Sequence, residues 1–343
     1  MPMQKELAMK RILVTGGAGF IGSAFVRFLL RTYPEVHVVV LDKLTYSGNP
    51  DNLKEVCPDR YSFVHGDIAD SLCVASSMQG CDAVVNFAAE SHVDRSLEGA
   101  ADFINTNVAG VNVLLEQALL QNLRRVLLVS TDEVYGSIET GAFKEEDSVK
   151  PRNPYAASKA AGELLGMAYF HSHGLPVLVT RGSNTYGPYQ YPEKVLPLFI
   201  TNAIDRSPLP LYGDGRNMRD WLYVDDHCSA IDLVLRSGEP GQVYNIAGGN
   251  ERENIAVAHT LLELLHAPES LIQYVKDRPG HDRRYAVDAA KIRALGWSPR
   301  MPWAVGMAHT VTWYRENEWW WRKIKDGSFR EYYERFYGPL LSK

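Results

Sequence analysis

Tyr155-Ala156-Ala157-Ser158-Lys159 spaces a phenol and an ammonium four residues apart, which puts both on one face of a helix. A free tyrosine keeps its proton up to a pH of about 10. A neighbouring ammonium favours the phenolate, and bringing the pKa to about 7 takes roughly 4 kcal/mol of differential stabilisation. Such a tyrosine can remove a hydroxyl proton while hydride leaves the same carbon. In Ser130-Thr131-Asp132-Glu133-Val134-Tyr135-Gly136, two carboxylates stand side by side after an apolar run. Burying both in ionised form is costly, so the pair reads as an acid and a base with separated pKa values.

A third stretch, Thr15-Gly16-Gly17-Ala18-Gly19-Phe20-Ile21-Gly22, can hold phosphate. Gly16, Gly19 and Gly22 permit a tight turn, close backbone approach to a pyrophosphate and close helix–sheet packing. The helix that follows offers free N–H groups to the anion. Asp42 lies 20 residues beyond Gly22. A carboxylate there accepts hydrogen bonds from ribose hydroxyls and repels a 2′-phosphate, which favours NAD over NADP. The adjacent Lys43 pulls the other way, since a cation tolerates that phosphate. Asp67-Ile68 follows a further strand, where an adenine ring would lie.

The elements that must position these groups alternate between strand and helix. Residues 11–15, 37–41, 61–64, 83–87 and 125–129 read as strands, and Phe20–Thr32, 102–120 and 155–173 as helices. Continuous apolar runs such as Val126-Leu127-Leu128-Val129 fit strands buried on both faces. The pattern predicts a Rossmann-type, doubly wound parallel α/β sheet with helices on both sides. After Pro188 prolines crowd in and the alternation breaks, yet Val243–Ile246 again reads as a strand. The expected organisation is a nucleotide-binding domain over 1–187 with a returning segment near 220–250. A smaller interleaved α/β cap over 188–343 would bind the substrate.

Composition narrows the classes. The 343 residues are 45% hydrophobic and 22% charged, with a formal net charge of −5. That apolar fraction supports a large core and excludes wholesale disorder. Mild acidity argues against a nucleic-acid polymer as partner. The four cysteines form no C-x-x-C pair, and residues 1–10 lack the apolar core of a secretory signal. No run of about 18 apolar residues suggests a membrane span. A soluble, cytoplasmic protein is expected. No His/Cys cluster or H-E-x-x-H motif is present, so no metal is expected.

The glycine turn and the Tyr-x-x-x-Lys pair resemble those of the extended short-chain dehydrogenases/reductases. Within them the chain resembles the dTDP-glucose 4,6-dehydratases. The likeness rests on Leu41-Asp42-Lys43-Leu44-Thr45-Tyr46-Ser47-Gly48-Asn49, Ala88-Ala89-Glu90-Ser91-His92-Val93-Asp94-Arg95-Ser96 and Arg181-Gly182-Ser183-Asn184-Thr185-Tyr186-Gly187-Pro188. Pro192-Glu193-Lys194, Arg219-Asp220-Trp221-Leu222-Tyr223-Val224-Asp225-Asp226-His227 and Asp277-Arg278-Pro279-Gly280-His281 extend it over nearly the whole chain. The Asp132-Glu133 pair is the discriminating feature, because related sugar-nucleotide epimerases typically lack it. Thr185 and Val195 depart from the family pattern, where Asn and Leu are common.

The resemblance implies that C4 of a glucose nucleotide is oxidised, water is removed across C5 and C6, and hydride returns to C6. It implies catalytic roles for Thr131, Asp132, Glu133, Tyr155 and Lys159. It places an NAD cofactor against Gly16, Gly19, Phe20, Ile21, Gly22, Asp42, Lys43, Thr45, Gly48, Asp67, Ile68, Ala88, Ala89, Ser91, Thr106, Tyr155, Lys159 and Asn184. It places the substrate against Ser91, Thr131, Asn184, Lys194, Val195, Pro210, Tyr212, Arg219, Asn254, Arg278 and His281. UDP- or CDP-glucose dehydratases stay open as alternatives, since the acid pair reports elimination and not the base, and an epimerase is a more remote one. The family also implies a homodimer, with 102–120 and 155–173 as candidate interface helices.

Overall fold

The computed structural model describes residues 7–341. Residues 1–6, within the segment read for a secretory signal, lie outside the described residues. In chain order the strands are β1 (Arg11–Thr15), β2 (His37–Asp42), β3 (Tyr61–His65), β4 (Ala83–Asn86), β5 (Arg125–Thr131), β6 (Val177–Gly182), β7 (Asn184–Tyr186), β8 (Leu209–Tyr212), β9 (Met218–Tyr223), β10 (Val243–Ile246), β11 (Glu251–Glu253) and β12 (Ile272–Val275). Seven of them form one sheet in the order β10-β6-β5-β4-β1-β2-β3, parallel throughout. The expected strands all form, and β6, which the pattern reading passes over, pairs between β5 and β10.

This is a doubly wound sheet, and its central strands are buried on both faces because helices cover both, while the edge strand β3 stays largely exposed. Phe25 and Leu29 of Phe20–Thr32, and Ile231 and Leu235 of Val224–Ser237, pack one face. Val74 and Met78 of Ser71–Met78, with Leu114 and Leu115 of Val111–Leu120, pack the other. Each buried Leu or Phe side chain contributes about 1.5–3 kcal/mol.

The expected helix over 102–120 is not continuous. Helical turns at Ala101–Ile104 and Val111–Leu120 flank a wider π turn at Asn105–Gly110. The cause is a side-chain anchor to two other segments. Asn107 Nδ2 donates to Glu90 O and Ser158 Oγ, while Asn107 Oδ1 accepts from Glu90 N. Gly162 of Pro154–His173 sits so close that a Cβ there would lie 2.7 Å from Asn107 O. Apolar periodicity carries no record of such a side-chain anchor.

The remaining strands build two small sheets, β11-β9-β7 and β12-β8. Around them lies a second core rich in aromatics, including Tyr186, Trp221, Trp303, Tyr314, Trp320 and Trp321. The chain leaves the large sheet after β6, returns through Val224–Ser237 and β10, and leaves again. Among the described residues, no helix is long and apolar enough to cross a membrane.

Candidate active site

Side chains and turns at the C-terminal ends of the central strands converge on one cleft. In open α/β sheets this edge, at the switch in strand order, is where ligands bind. β1 runs into the glycine turn. Gly16 has φ +66°, and a Cβ on it would lie 2.5 Å from Ala88 N. A Cβ on Gly22 would lie 2.2 Å from Gly16 O. The helix Phe20–Thr32 starts at Gly19 with no side-chain cap, which leaves its first amides available to an anion. The turn and helix start therefore fit a pyrophosphate. Gly22→Ala should separate helix from turn, lowering stability by about 1–3 kcal/mol and weakening dinucleotide binding at least tenfold. Thermal unfolding and calorimetric titration with NAD check this.

Asp42 ends β2. Its Oδ2 accepts from Ala18 N at 2.9 Å and its Oδ1 from Leu44 N at 2.8 Å. Burial raises its carboxyl pKa against the pull of these two bonds. Lys43 makes a 2.6 Å ion pair with Asp67, although its side chain stays 52% exposed. That pairing partly neutralises the charge which Lys43 brings beside Asp42. Every residue expected at the cofactor, from Gly16 to Asn184, lines this first cleft.

β5 delivers Thr131, and a short 3-10 turn, Asp132–Tyr135, follows it. Thr131 Oγ1 accepts from Glu133 N and donates to Asp132 Oδ1, both at 3.3 Å. Asp132 is buried, and its Oδ2 has no partner. Burial, then the Glu133 and Asp220 charges, push its carboxyl well above the usual range. Asp132 is thus biased toward its protonated form. Glu133 is half-buried beside it, with Asn153 Nδ2 at 3.4 Å from its Oε2.

Asn153 also caps the helix Pro154–His173, accepting from Ala156 N at 2.8 Å. That helix carries Tyr155 and Lys159. Apolar surroundings, then Glu133, raise the Tyr155 phenol, while a hydrogen bond with Thr131 lowers it. Lys159 Nζ donates to Val129 O at 2.7 Å. Burial lowers Lys159 to about 8, and Glu163 opposes that shift. The sequence reading pairs the ammonium directly with the phenol. Here the nearest hydrogen-bonding aid to Tyr155 is Thr131, and Lys159 is anchored on the backbone.

A second cleft adjoins the first between the large and small sheets, and the two share Glu133, Asn184, Glu193 and Lys194. Lys194, Val195, Pro210, Tyr212, Arg219, Asn254, Arg278 and His281 line it, as expected for substrate contacts. Ser91 and Thr131 line the first cleft only. Arg219 is buried and held by main-chain oxygens, donating to Met218 O at 2.7 Å and Asp282 O at 2.9 Å. Arg278 makes a 3.0 Å ion pair with Asp94. His281 Nδ1 lies 2.6 Å from Asp277 Oδ1, and burial followed by Arg278 and Arg219 lowers its pKa to about 4. The imidazole is neutral at physiological pH.

Sequence reasoning missed Asp94, Glu193, His227 and Tyr285 as site residues, although all four line the clefts. Glu193 is buried and forms a 3.0 Å ion pair with Arg95, whose guanidinium lies 4.0 Å from the Tyr46 ring and 4.1 Å from the Tyr332 ring. A glutamate beside Lys194 in an otherwise apolar run was the available signal. For Asp94 and His227 nothing but the fold reveals the role.

Fold and glycine turn together define a dinucleotide-binding α/β protein with a second, polar cleft at its side. The family model described as GDP-mannose 4,6 dehydratase matches residues 13–310. A dTDP-glucose 4,6-dehydratase of Streptomyces niveus is 54% identical over 321 residues, 92% of this chain and 96% of that protein. The structure of DesIV, a dTDP-glucose 4,6-dehydratase from Streptomyces venezuelae with NAD bound, is 53% identical, with a TM-score of 0.90 over 92% of this chain and 100% of that one. A Thermotoga maritima UDP-glucose 4-epimerase with UDP-glucose is similar at 29% identity and TM-score 0.84, covering 90% and 99%. The chain belongs to this 4,6-dehydratase family and, within it, to the dTDP-glucose 4,6-dehydratases.

Proposed function

We propose that this protein converts dTDP-glucose to dTDP-4-keto-6-deoxyglucose with NAD as its cofactor. The observation that carries the reading is Asp132, buried beside Glu133 with its carboxyl pushed upward by burial and by that neighbour, in the cleft that also contains Tyr155. An oxidation alone needs no such pair, whereas an elimination needs both an acid and a base.

Bound NAD supplies the hydride acceptor at C4 and the hydride that returns to C6. Gly16, Gly19, Phe20, Ile21 and Gly22 would hold its pyrophosphate, Asp42 its adenosine ribose, and Asp67 with Ile68 its adenine. Ala88, Ala89, Ser91 and Thr106 would line its path, with Lys159 at the second ribose. Tyr155 takes the proton of the C4 hydroxyl, and Thr131 steadies the oxygen. The new ketone acidifies C5. Glu133 removes the C5 proton, and Asp132 gives its proton to the C6 hydroxyl as water leaves. C5 is then reprotonated. Lys194, Arg219 and Arg278 set positive charge around the diphosphate. Because Lys43 is paired with Asp67, the Asp42 carboxylate keeps the preference for NAD over NADP.

The enzyme works as a homodimer on this reading. Ile104 is 57% and Leu164 62% exposed on the two candidate interface helices, apolar surface that a second copy would cover. The cytoplasm suits its four unpaired thiols. Incubation with dTDP-, UDP- and CDP-glucose in turn, followed by the alkaline absorbance of the 4-ketosugar, tests the assignment. dTDP-glucose should turn over fastest. Faster turnover of UDP- or CDP-glucose would reassign the base, and C4 inversion without water loss would make the chain an epimerase.

A further inference from the structure

Glu133 is connected to the protein surface by a line of hydrogen-bonding groups that the reaction scheme above does not use. The Tyr285 hydroxyl lies 3.5 Å from Glu133 Oε2 and donates to Asp282 Oδ2 at 2.7 Å. The other oxygen of that carboxylate, Oδ1, accepts from Arg152 Nη1 at 3.0 Å. Tyr285 and Asp282 are buried at 2% and 1% exposure, whereas the Arg152 side chain is 51% exposed. The line therefore runs from the cleft, through the interior, to solvent.

Its geometry is held from the side. The Arg219 guanidinium sits 4.3 Å from the centre of the Tyr285 ring and donates to Asp282 O. Asn217 Nδ2 donates to the same carbonyl at 3.2 Å. A buried carboxylate and phenol so fixed are costly to maintain for packing alone. The Tyr285 hydroxyl can donate to either carboxylate, and with its single proton given to the nearer Asp282 its oxygen is free to accept one from a protonated Glu133.

We propose that Tyr285 and Asp282 form a proton relay between Glu133 and solvent at Arg152, through which the proton returned to C5 is drawn from water. The step balances. Glu133 breaks the C5–H bond and becomes a carboxylic acid. It passes that proton to the Tyr285 oxygen as the Tyr285 proton moves to Asp282. Movement of the exposed Arg152 side chain opens Asp282 to water, which takes the proton. The same line run backwards reloads Glu133 with a solvent proton for C5. The relay requires this 3.5 Å gap to shorten when substrate fills the cleft, as catalytic hydrogen bonds commonly do. This relay rests on Glu133 as the C5 base.

Single-turnover conversion in deuterium oxide, quenched with borohydride and read by mass spectrometry, tests the relay. The unmodified enzyme should place deuterium at C5. Asp282→Asn and Tyr285→Phe should each return the substrate's own proton, raising the protium fraction at C5 several-fold. Tyr285→Phe keeps the ring under Arg219 and carries the test if Asp282→Asn fails to fold. Slower turnover with an unchanged C5 isotope content in both variants would overturn the relay and leave the residues as mere supports for Glu133. Retention of protium by the unmodified enzyme would overturn it too. Glu133→Gln separates the two readings, since water loss that persists in that variant removes the base assignment itself.

Discussion

Tyr155→Phe should lower kcat about a thousandfold while the protein still folds and binds NAD. The phenyl ring preserves the edge contact with Phe103, whose ring centre is 6.4 Å away. What disappears is the hydroxyl that takes the C4 proton. Steady-state formation of the 4-ketosugar measures the loss, and calorimetry with NAD measures the retained affinity. A variant within tenfold of the original rate would remove Tyr155 from the first step.

The same step sets a pH limit. Surrounding low-polarity protein and the Glu133 charge hold the Tyr155 phenol above its ordinary value, so the phenolate needs a nearby cation. On the proposed reading Lys159 would supply that cation, and burial lowers it to about 8. Its charge is present below that pH and is lost as pH rises through it. The rate of C4 oxidation should therefore fall on the alkaline side of about 8. A rate that stays flat well beyond that point would exclude Lys159 as the cation in use.

Asp132→Asn separates oxidation from elimination. The amide fills the same buried space but supplies no acidic proton to the leaving hydroxyl. C4 oxidation should continue, while water loss slows by about a hundredfold. In a single turnover the absorbance of reduced nicotinamide should then rise and persist, where the unmodified enzyme would show it only transiently. Equal losses in oxidation and elimination would contradict the division of roles between Asp132 and Glu133.

The two predictions draw on different levels of information. Tyr155 and Lys159 were readable from their spacing, because residues four apart share a helix face whatever the rest of the fold does. That the Lys159 ammonium anchors on Val129 O was not readable, since β5 and the helix Pro154–His173 meet only in three dimensions. The adjacency of Asp132 and Glu133 showed that a pair exists. How far the Asp132 carboxyl is pushed upward depends on burial, on Glu133 and on Asp220, 88 positions away in the chain. Lys43 illustrates the same limit. Next to Asp42 it argues for tolerance of a phosphate, and only its pairing with Asp67 shows its charge to be partly neutralised.

Short-range rules settle the large sheet for a related reason. Two-sided burial demands continuous apolar strands, and each helix between them must show a 3.6-residue stripe, so the doubly wound class is written into local pattern. The π turn at Asn105–Gly110 escaped that reading because its cause is one asparagine bonding two distant segments. The sequence by itself determined the fold class, the phosphate turn and which groups are candidates for the chemistry. Each of those follows from residue type and spacing along a single element. Tertiary structure alone decided the upward push on the Asp132 carboxyl, the pairing of Lys43 and the line from Glu133 through Tyr285 to solvent. Charge states and proton paths depend on which groups lie within a few ångströms across separate elements, and chain order does not encode that distance.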